Sequence, residues 1–157
     1  SGLALSPNGN HLIGVGVDNE IRLWKHPSLE EVFRRRLETT PIAVVWKQSG
    51  GEFFVSTNQG VVLGMDLHGD TVRSSGKRGY AMPNIILSPD ERTLAVTTAD
   101  SHIETIDSTS LKTLKRWHVS GMNDQAIGTI CYSLDGRQLY SHKAFGTEAE
   151  IWDASTG

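Results

Sequence analysis

Four copies of one turn signal constrain the fold of this chain more than any other feature of its sequence. The copies begin at the residues Leu5, Trp46, Leu87 and Tyr132. Each places turn formers such as Ser, Pro, Asn, Asp and Gly between two short runs of strand formers. In the third copy, Pro89 sets φ for a turn and Asp90 can accept a hydrogen bond from the backbone two residues further on. The leading residues are separated by 41, 41 and 45 positions.

A second series of markers has the same period. These markers lie in later strands, at Trp24, Met65, Ile106 and Trp152, with separations of 41, 41 and 46 positions. Units of about 40–45 residues with four short strands are typical of β-propellers. We therefore predict an all-β chain, a β-propeller segment of four blade-like repeats of four-stranded antiparallel sheets, with the last blade lacking its outer strand. The repeats are about 1–40, 41–83, 84–126 and 127–157, a single segment that we expect to belong to a longer propeller.

The ends of two repeats resemble the WD-repeat family. Residues 150–157, Glu-Ile-Trp-Asp-Ala-Ser-Thr-Gly, look like the end of a WD repeat, and so do residues 18–24. Residues 87–117 are similar to the YVTN-type repeat of bacterial propellers. The resemblance covers essentially the whole chain, and it implies a propeller fold. For such a propeller we predict a non-catalytic scaffold for protein–protein interaction.

The sequence departs from the WD-repeat pattern in its polar positions. The family places a Gly-His pair before each first strand, where it bonds an Asp in a later turn, and this chain has no Gly-His pair. Asp18 and Asp100 occupy that turn, but Gln59 replaces the acid in the second repeat. His118 is the nearest substitute for the missing histidine, and we expect it to bond a turn carboxylate or carbonyl. Packing must therefore stabilise the blades with less help from a polar network.

Composition excludes several classes of protein. The net charge of −3 gives no overall attraction to nucleic acid, and no apolar run approaches the ~20 residues of a membrane span. A single cysteine, Cys131, rules out an intrachain disulfide framework, and its apolar neighbours predict a buried thiol. The lack of a signal peptide at the start of the sequence favours a cytoplasmic location.

No motif in the sequence predicts catalysis. There is no G-x-S-x-G, P-loop or G-x-G-x-x-G motif, and the six histidines show no metal-binding spacing. We therefore predict no catalytic, cofactor or metal site. A propeller enzyme domain, either a lactonase-like hydrolase or an oxidoreductase, is the alternative, because this fold supports many functions.

The longest connection between repeats, residues 120–126, is the first candidate binding region. Long loops at the rim of a scaffold are common sites for partner binding. The residues that could form a mixed aromatic and polar contact patch there are Tyr80, Trp117, His118, Met122, Asn123 and Asp124. The alternative is an ordinary surface loop.

The second candidate is a run of three arginines, Arg34, Arg35 and Arg36. With Phe33 it resembles the Phe-Arg-Arg-Gly motif of phosphoinositide-binding propellers, although Arg36 stands where that family has Gly. Paired guanidinium groups suit a phosphate, so anionic-lipid binding is a further alternative function. The competing interpretation is a solvated outer strand, in which Arg35 faces away from its two neighbours.

The terminal repeats predict association. Leu3 and Leu5 have no preceding blade to cover them, and Ile151 and Trp152 lie on a third strand with no fourth strand beside it. We therefore expect protein partners, and we expect either the rest of a longer propeller or a second copy of the chain to cover these surfaces. A closed ring of four blades is the remaining alternative.

Overall fold

The computed structural model describes residues 1–119, 127–144 and 148–157. These residues form fifteen strands and no helix. The strands are β1 (Gly2–Leu5), β2 (His11–Val15), β3 (Glu20–Lys25), β4 (Glu31–Arg36), β5 (Pro41–Trp46), β6 (Glu52–Thr57), β7 (Val62–Asp66), β8 (Thr71–Ser74), β9 (Asn84–Leu87), β10 (Thr93–Thr97), β11 (His102–Asp107), β12 (Thr113–His118), β13 (Ile127–Tyr132), β14 (Gln138–Lys143) and β15 (Ala149–Asp153). Nothing in the described ranges is a helix of the length and apolar character needed to cross a bilayer.

Consecutive strands pair antiparallel into four sheets. The first sheet is β1–β4, the second β5–β8, the third β9–β12, and the fourth β13–β15, with three strands among the described residues. This confirms the predicted all-β class, with four blade-like repeats, the last of which has three strands among the described residues. The chain divides into two compact units, residues 1–85 and 86–157. The first unit contains the first two sheets, and the second contains the fourth sheet and nearly all of the third.

Three of the four copies of the repeated turn share one hydrogen-bonding pattern. Ser88 Oγ donates to Asp90 Oδ1 at 2.6 Å, and Asp90 Oδ1 also accepts from the backbone of Arg92 at 3.1 Å, as predicted. The backbone N–H of Thr93 then donates to Ser88 Oγ at 3.0 Å. The same arrangement recurs in the pairs Ser133 with Asp135 and Ser6 with Asn8. Each pattern satisfies backbone donors that a tight hairpin would otherwise leave unpaired.

The first unit is stabilised by packing between its two sheets, which we call the inner interface. Trp46 of the second sheet donates from Nε1 to the carbonyl of Ala4 at 3.1 Å and meets the Phe53 ring edge-on at 5.2 Å. The fully or nearly fully buried residues of the inner interface are Ile13, Val15, Ile21, Leu23, Phe33, Trp46, Phe53, Val55 and Met65. Burial of these side chains removes apolar surface from water, which is the main favourable term in folding.

The second unit has its own core between the third and fourth sheets. Its buried residues include Ala95, Ile103, Ile130 and Leu139. Our expectation of a buried Cys131 thiol was wrong, because Cys131 is exposed. Successive residues of a strand point to opposite faces, so once Ile130 packs into this core its neighbour must point away from it.

Candidate functional site

The second unit contains a cavity of about 630 Å³. Turns after β9, β13 and β15 contribute to its wall, together with residues of β10, β11 and β12. Its lining residues are Ser88, Asp90, Thr93, Thr105, Leu114, Lys115, Tyr132, Asp135, Gly136, Arg137, Asp153, Ala154 and Ser155. The volume lies in the range of pockets that bind small molecules or the side chains of a peptide.

Two of the carboxylates that line the cavity, Asp90 and Asp135, belong to copies of the repeated turn. Hydrogen bonds from the Ser88 hydroxyl and the Arg92 backbone hold the pKa of Asp90 below its ordinary value. Ser133 and the Arg137 backbone do the same for the pKa of Asp135. Both groups are therefore charged at neutral pH, and the turn bonds fix the direction in which each carboxylate points.

The third carboxylate is Asp153, at the end of β15. It accepts hydrogen bonds from Ser155 Oγ at 2.6 Å, from Thr156 N at 2.8 Å and from Ser155 N at 2.9 Å. These bonds, led by the Ser155 hydroxyl, lower the pKa of Asp153 to about 2. The cavity wall thus contains a carboxylate that stays ionised even in mild acid.

Tyr132 supplies a hydrogen-bonding group that is not used within the described part of the chain. Its hydroxyl oxygen is buried and has no hydrogen-bond partner there. Burial raises the pKa of the phenol well above its ordinary value, and the charge of Asp90 adds to the effect. The phenol is therefore neutral at physiological pH and can both donate and accept a hydrogen bond. A buried polar atom without a partner is rare in a folded protein and marks a place where a ligand or water is expected.

The remaining wall is mixed in character. Lys115 and Arg137 bring two cationic groups against the three carboxylates, so the formal charge of the lining is one negative. The exposed side chain of Leu114 and the methyl group of Ala154 supply apolar surface. This combination suits a ligand that has an apolar part and one cationic group.

The carboxylates are not grouped as metal ligands. Among residues 1–119, 127–144 and 148–157, no set of three or more His, Cys, Asp and Glu side chains could hold a metal ion. Each Oδ1 is engaged by its own turn, while a carboxylate has a second oxygen with which to accept bonds from a ligand. What the described arrangement can do chemically is bind by charge and by hydrogen bonds.

The described residues of the predicted contact patch, Tyr80, Trp117 and His118, are not among the lining residues of this cavity. Tyr80 is half-buried in the first unit, whereas Trp117 and His118 lie on β12 in the second. Trp117 packs 6.3 Å from the Trp152 ring, and His118 is exposed with its ring edge-on to His102 at 5.1 Å. The other patch residues, Met122, Asn123 and Asp124, lie outside the described residues.

A turn contact of the kind that we expected of His118 is made by His102. His102 Nδ1 lies 2.8 Å from the carbonyl oxygen of Asp100. The Asp100 carboxylate also accepts from Thr98 Oγ1 at 2.6 Å and pairs with Arg116. The polar turn of this blade is thus completed by its own strands.

The three arginines of β4 do not converge on one point. Arg34 pairs with Glu31 at 3.0 Å, and the hydrogen bond and charge of Glu31 raise the pKa of Arg34. Arg35 lies over the Phe33 ring, 5.9 Å from its centre, and donates to the carbonyl of His68 at 3.2 Å. Arg36 is exposed. Because Arg34 and Arg35 point to opposite faces of the strand, a phosphate at this strand would meet two of the arginines at most.

Sequence reasoning missed the cavity, although one signal pointed to it. Asp90 and Asp135 were interpreted only as turn formers. Tyr132, however, occupies the repeat position that Leu5 and Leu87 fill with purely apolar side chains. A tyrosine at an apolar position of the repeat brings a hydroxyl that needs a partner when it is buried, and the structure places this residue in the cavity lining.

Comparison with known proteins adds no family to these observations. No family model matches the chain, and no curated protein matches it at a significant level. The class of the protein therefore follows from its repeats and its sheets: it is an all-β chain of propeller-like blade repeats.

Proposed function

We propose that this chain is a non-catalytic protein-interaction module of the WD-repeat type, and that the cavity of the second unit holds a segment of a partner protein. The segment would present a Lys or Arg side chain next to an apolar residue. The supporting observation is that one cavity with a net negative lining is lined by Asp90, Asp135, Asp153 and Tyr132, whose buried hydroxyl has no hydrogen-bond partner in the described part of the chain.

The chemistry of the lining favours a peptide with a basic group. Carboxylates only accept hydrogen bonds, and charge-assisted bonds from a guanidinium or ammonium group are about twice as strong as neutral ones. The Tyr132 hydroxyl can donate to a peptide carbonyl, and Leu114 offers an apolar contact. The repeat of about 41 residues and the WD-like ending at residues 150–157 support the assignment to this type of scaffold.

A pair of matched peptides tests the proposal. We expect the acetylated and amidated peptide Leu-Arg-Leu to shift the backbone NMR signals of Tyr132 and Asp135. Leu-citrulline-Leu, which has nearly the same shape and no charge, should shift them much less. Replacing both acids of the repeated turns, Asp90→Asn with Asp135→Asn, should remove the difference between the peptides.

The matched control is Asp107→Asn, because Asp107 is also held in a turn by hydrogen bonds and lies outside the cavity lining. That variant should bind as the unchanged protein does. Equal shifts with both peptides, or no shifts at Tyr132 with either, would show that the cavity does not select a basic segment. Tighter binding of Leu-Arg-Leu at low salt than at high salt would support the electrostatic origin.

A further inference from the structure

The first sheet has a partly apolar face that is turned away from the inner interface, and Arg22, which pairs with Asp18 and Glu20, lies on this face beside Gly14. Its side chains alternate with those that pack against the second sheet, and Leu3 and Leu5 are 68% and 49% exposed. The Trp24 ring lies against the backbone of Gly14, where an added Cβ would come within 3.0 Å of the ring. We call this surface, formed by Leu3, Leu5, Leu12 and Trp24, the leading face.

The fourth sheet also has a face turned away from its core. Cys131, Tyr140 and Ile151 lie side by side on it, one from each strand, as cross-strand neighbours. Ile151 is 63% exposed, and none of the three is Asp, Glu, Lys, Arg or His. We call the surface formed by these three residues the trailing face.

The positions of the leading face have a known role elsewhere in the chain. Leu5, Leu12 and Trp24 occupy the same repeat positions as Trp46, Phe53 and Met65, which lie 41 residues further on. In the second sheet these are the residues that pack on the first sheet across the inner interface. The leading face is therefore the half of a blade-to-blade contact that looks toward the preceding blade.

The positions of the trailing face supply the opposite half. Cys131, Tyr140 and Ile151 correspond in the repeats to Ala4, Ile13 and Leu23 of the first sheet. Ile13 and Leu23 are fully buried in the inner interface, and Ala4 packs against it and accepts the Trp46 hydrogen bond. The chain thus displays at its surface both complementary halves of an interface that it forms internally.

We propose that the trailing face of one copy of this chain docks on the leading face of a second copy. The partner is a second copy because the contact would continue, between chains, the packing that already joins the first and second sheets. The residues that define the two faces are uncharged, and Arg22 on the leading face already pairs with Asp18 and Glu20, so docking buries no lone charge. The two faces differ, so the contact is heterologous and joins copies head to tail.

Light scattering coupled to size exclusion tests the proposal on the chain as printed. We expect a mass that is a multiple of 17.2 kDa. Leu3→Asp on the leading face and Ile151→Asp on the trailing face should each reduce the mass, because each places a charge in the buried centre of the contact. Both residues are exposed within one copy, so circular dichroism melts should show folded variants.

Matched controls place the same charge on exposed apolar residues away from both faces. Val17 lies in the turn between β2 and β3, and Leu134, 98% exposed, lies in the turn between β13 and β14. Val17→Asp and Leu134→Asp should keep the mass of the unchanged chain. If they reduced the mass as much as Leu3→Asp and Ile151→Asp, the loss would reflect charge alone and the assignment of the faces would be wrong.

Mixing decides whether the contact is head to tail. Leu3→Asp retains a complete trailing face, and Ile151→Asp retains a complete leading face, so an equal mixture should form a dimer that neither variant forms alone. A contact between two copies of the same face predicts a different result, since one of the two variants would then associate normally. That outcome, or a monomeric unchanged chain, would overturn the proposal.

Cys131 reports on the same contact without any change to the trailing face. It is the only cysteine in the chain and lies on that face as the cross-strand neighbour of Tyr140. Its reaction with a maleimide should be slow in the assembled protein and several-fold faster in Leu3→Asp, although the substitution lies on the other face. Equal rates in the two proteins would contradict a heterologous contact.

Discussion

The second and fourth sheets show the same repeat in two environments. Phe53 and Phe54 are neighbours on β6, point to opposite faces of the second sheet, and are both fully buried, with Phe54 0% exposed. Their repeat equivalents on β14 are Leu139, which is fully buried, and Tyr140, which is half-exposed. The strand position is the same in both sheets, so backbone pairing does not decide burial. What decides it is whether other parts of the fold cover the face.

The largest expected effect comes from placing a charge at the equivalent positions Phe54 and Tyr140. Phe54→Asp should leave the protein unfolded or close to it at room temperature, because an unpaired buried carboxylate costs several kcal/mol or must become protonated. Tyr140→Asp should remain folded, since in a single copy of the chain its carboxylate reaches water. Thermal melts followed by circular dichroism compare the two, and similar losses would mean that the trailing face is covered within one copy.

Truncation on the packed faces should give similar losses in both sheets. Phe53→Ala is expected to cost about 3–5 kcal/mol and Leu139→Ala about 2–5 kcal/mol, because each removes a fully buried side chain from a core. Urea unfolding measures both. A Leu139→Ala variant as stable as the unchanged protein would mean that the core of the second unit contributes little, and that the two sheets differ on both faces.

Acid stability should not distinguish the two sheets. Asp66 and Asp153 are repeat equivalents, and turn hydrogen bonds lower the pKa of both, to about 2 for Asp153. A carboxyl whose folded pKa lies below its unfolded value stabilises the fold above the unfolded pKa of about 3.9, and this stabilisation is lost as the pH falls toward the folded pKa. Asp66→Asn and Asp153→Asn should each lose less stability than the unchanged protein between pH 5 and pH 2.

Urea midpoints across that pH range provide the measurement. The control is Asp70→Asn. Asp70 lies in the same turn, two residues from His68, and it bonds Asp66 through its backbone N–H rather than through its carboxylate. Its acid dependence should follow that of the unchanged protein more closely than Asp66→Asn does. A shallower acid dependence for Asp153→Asn alone would show that the two turns, although alike in sequence position, are energetically different.

The smallest effect is expected on the outermost strand of the first sheet. Arg34→Glu combined with Arg36→Glu should change the free energy of unfolding by no more than about 0.5 kcal/mol, the usual range for exposed sites. Thermal melts test this, and a larger loss would mean that exposure alone does not predict tolerance. Flotation with vesicles rich in anionic lipid distinguishes the protein-interaction function from lipid binding. Under our proposal the unchanged protein does not float with the vesicles. If the unchanged protein floats and the double variant does not, the result supports lipid binding instead.

The sequence was sufficient for the strands and turns because their causes are local. Pro89 and Asp90 define a hairpin through bonds to residues no more than a few positions away, and the short apolar runs on either side have few other structures open to them. Repetition at a nearly fixed spacing then extended that local inference to the four sheets.

The sequence was insufficient wherever the answer depends on distant parts of the chain. Burial of Cys131 depended on which face of β13 is covered, and its apolar neighbours gave no information on that. The cavity exists because turns at Asp90, Asp135 and Asp153 come together in space, and each turn taken alone indicates only a turn. Tyr132 became informative once its hydroxyl was seen to be buried without a partner in the described part of the chain.

The repeated turn also bears on how such a chain can diverge. Asn8, Asp90 and Asp135 occupy the same place and use Oδ1 to accept the same two kinds of hydrogen bond. An amide and a carboxylate are interchangeable in that role, although they differ by one full charge. A single-base change between Asn and Asp codons could therefore alter the electric potential of one repeat and leave its hairpin intact. Descendants of such a chain could acquire new binding preferences one turn at a time without first losing the fold.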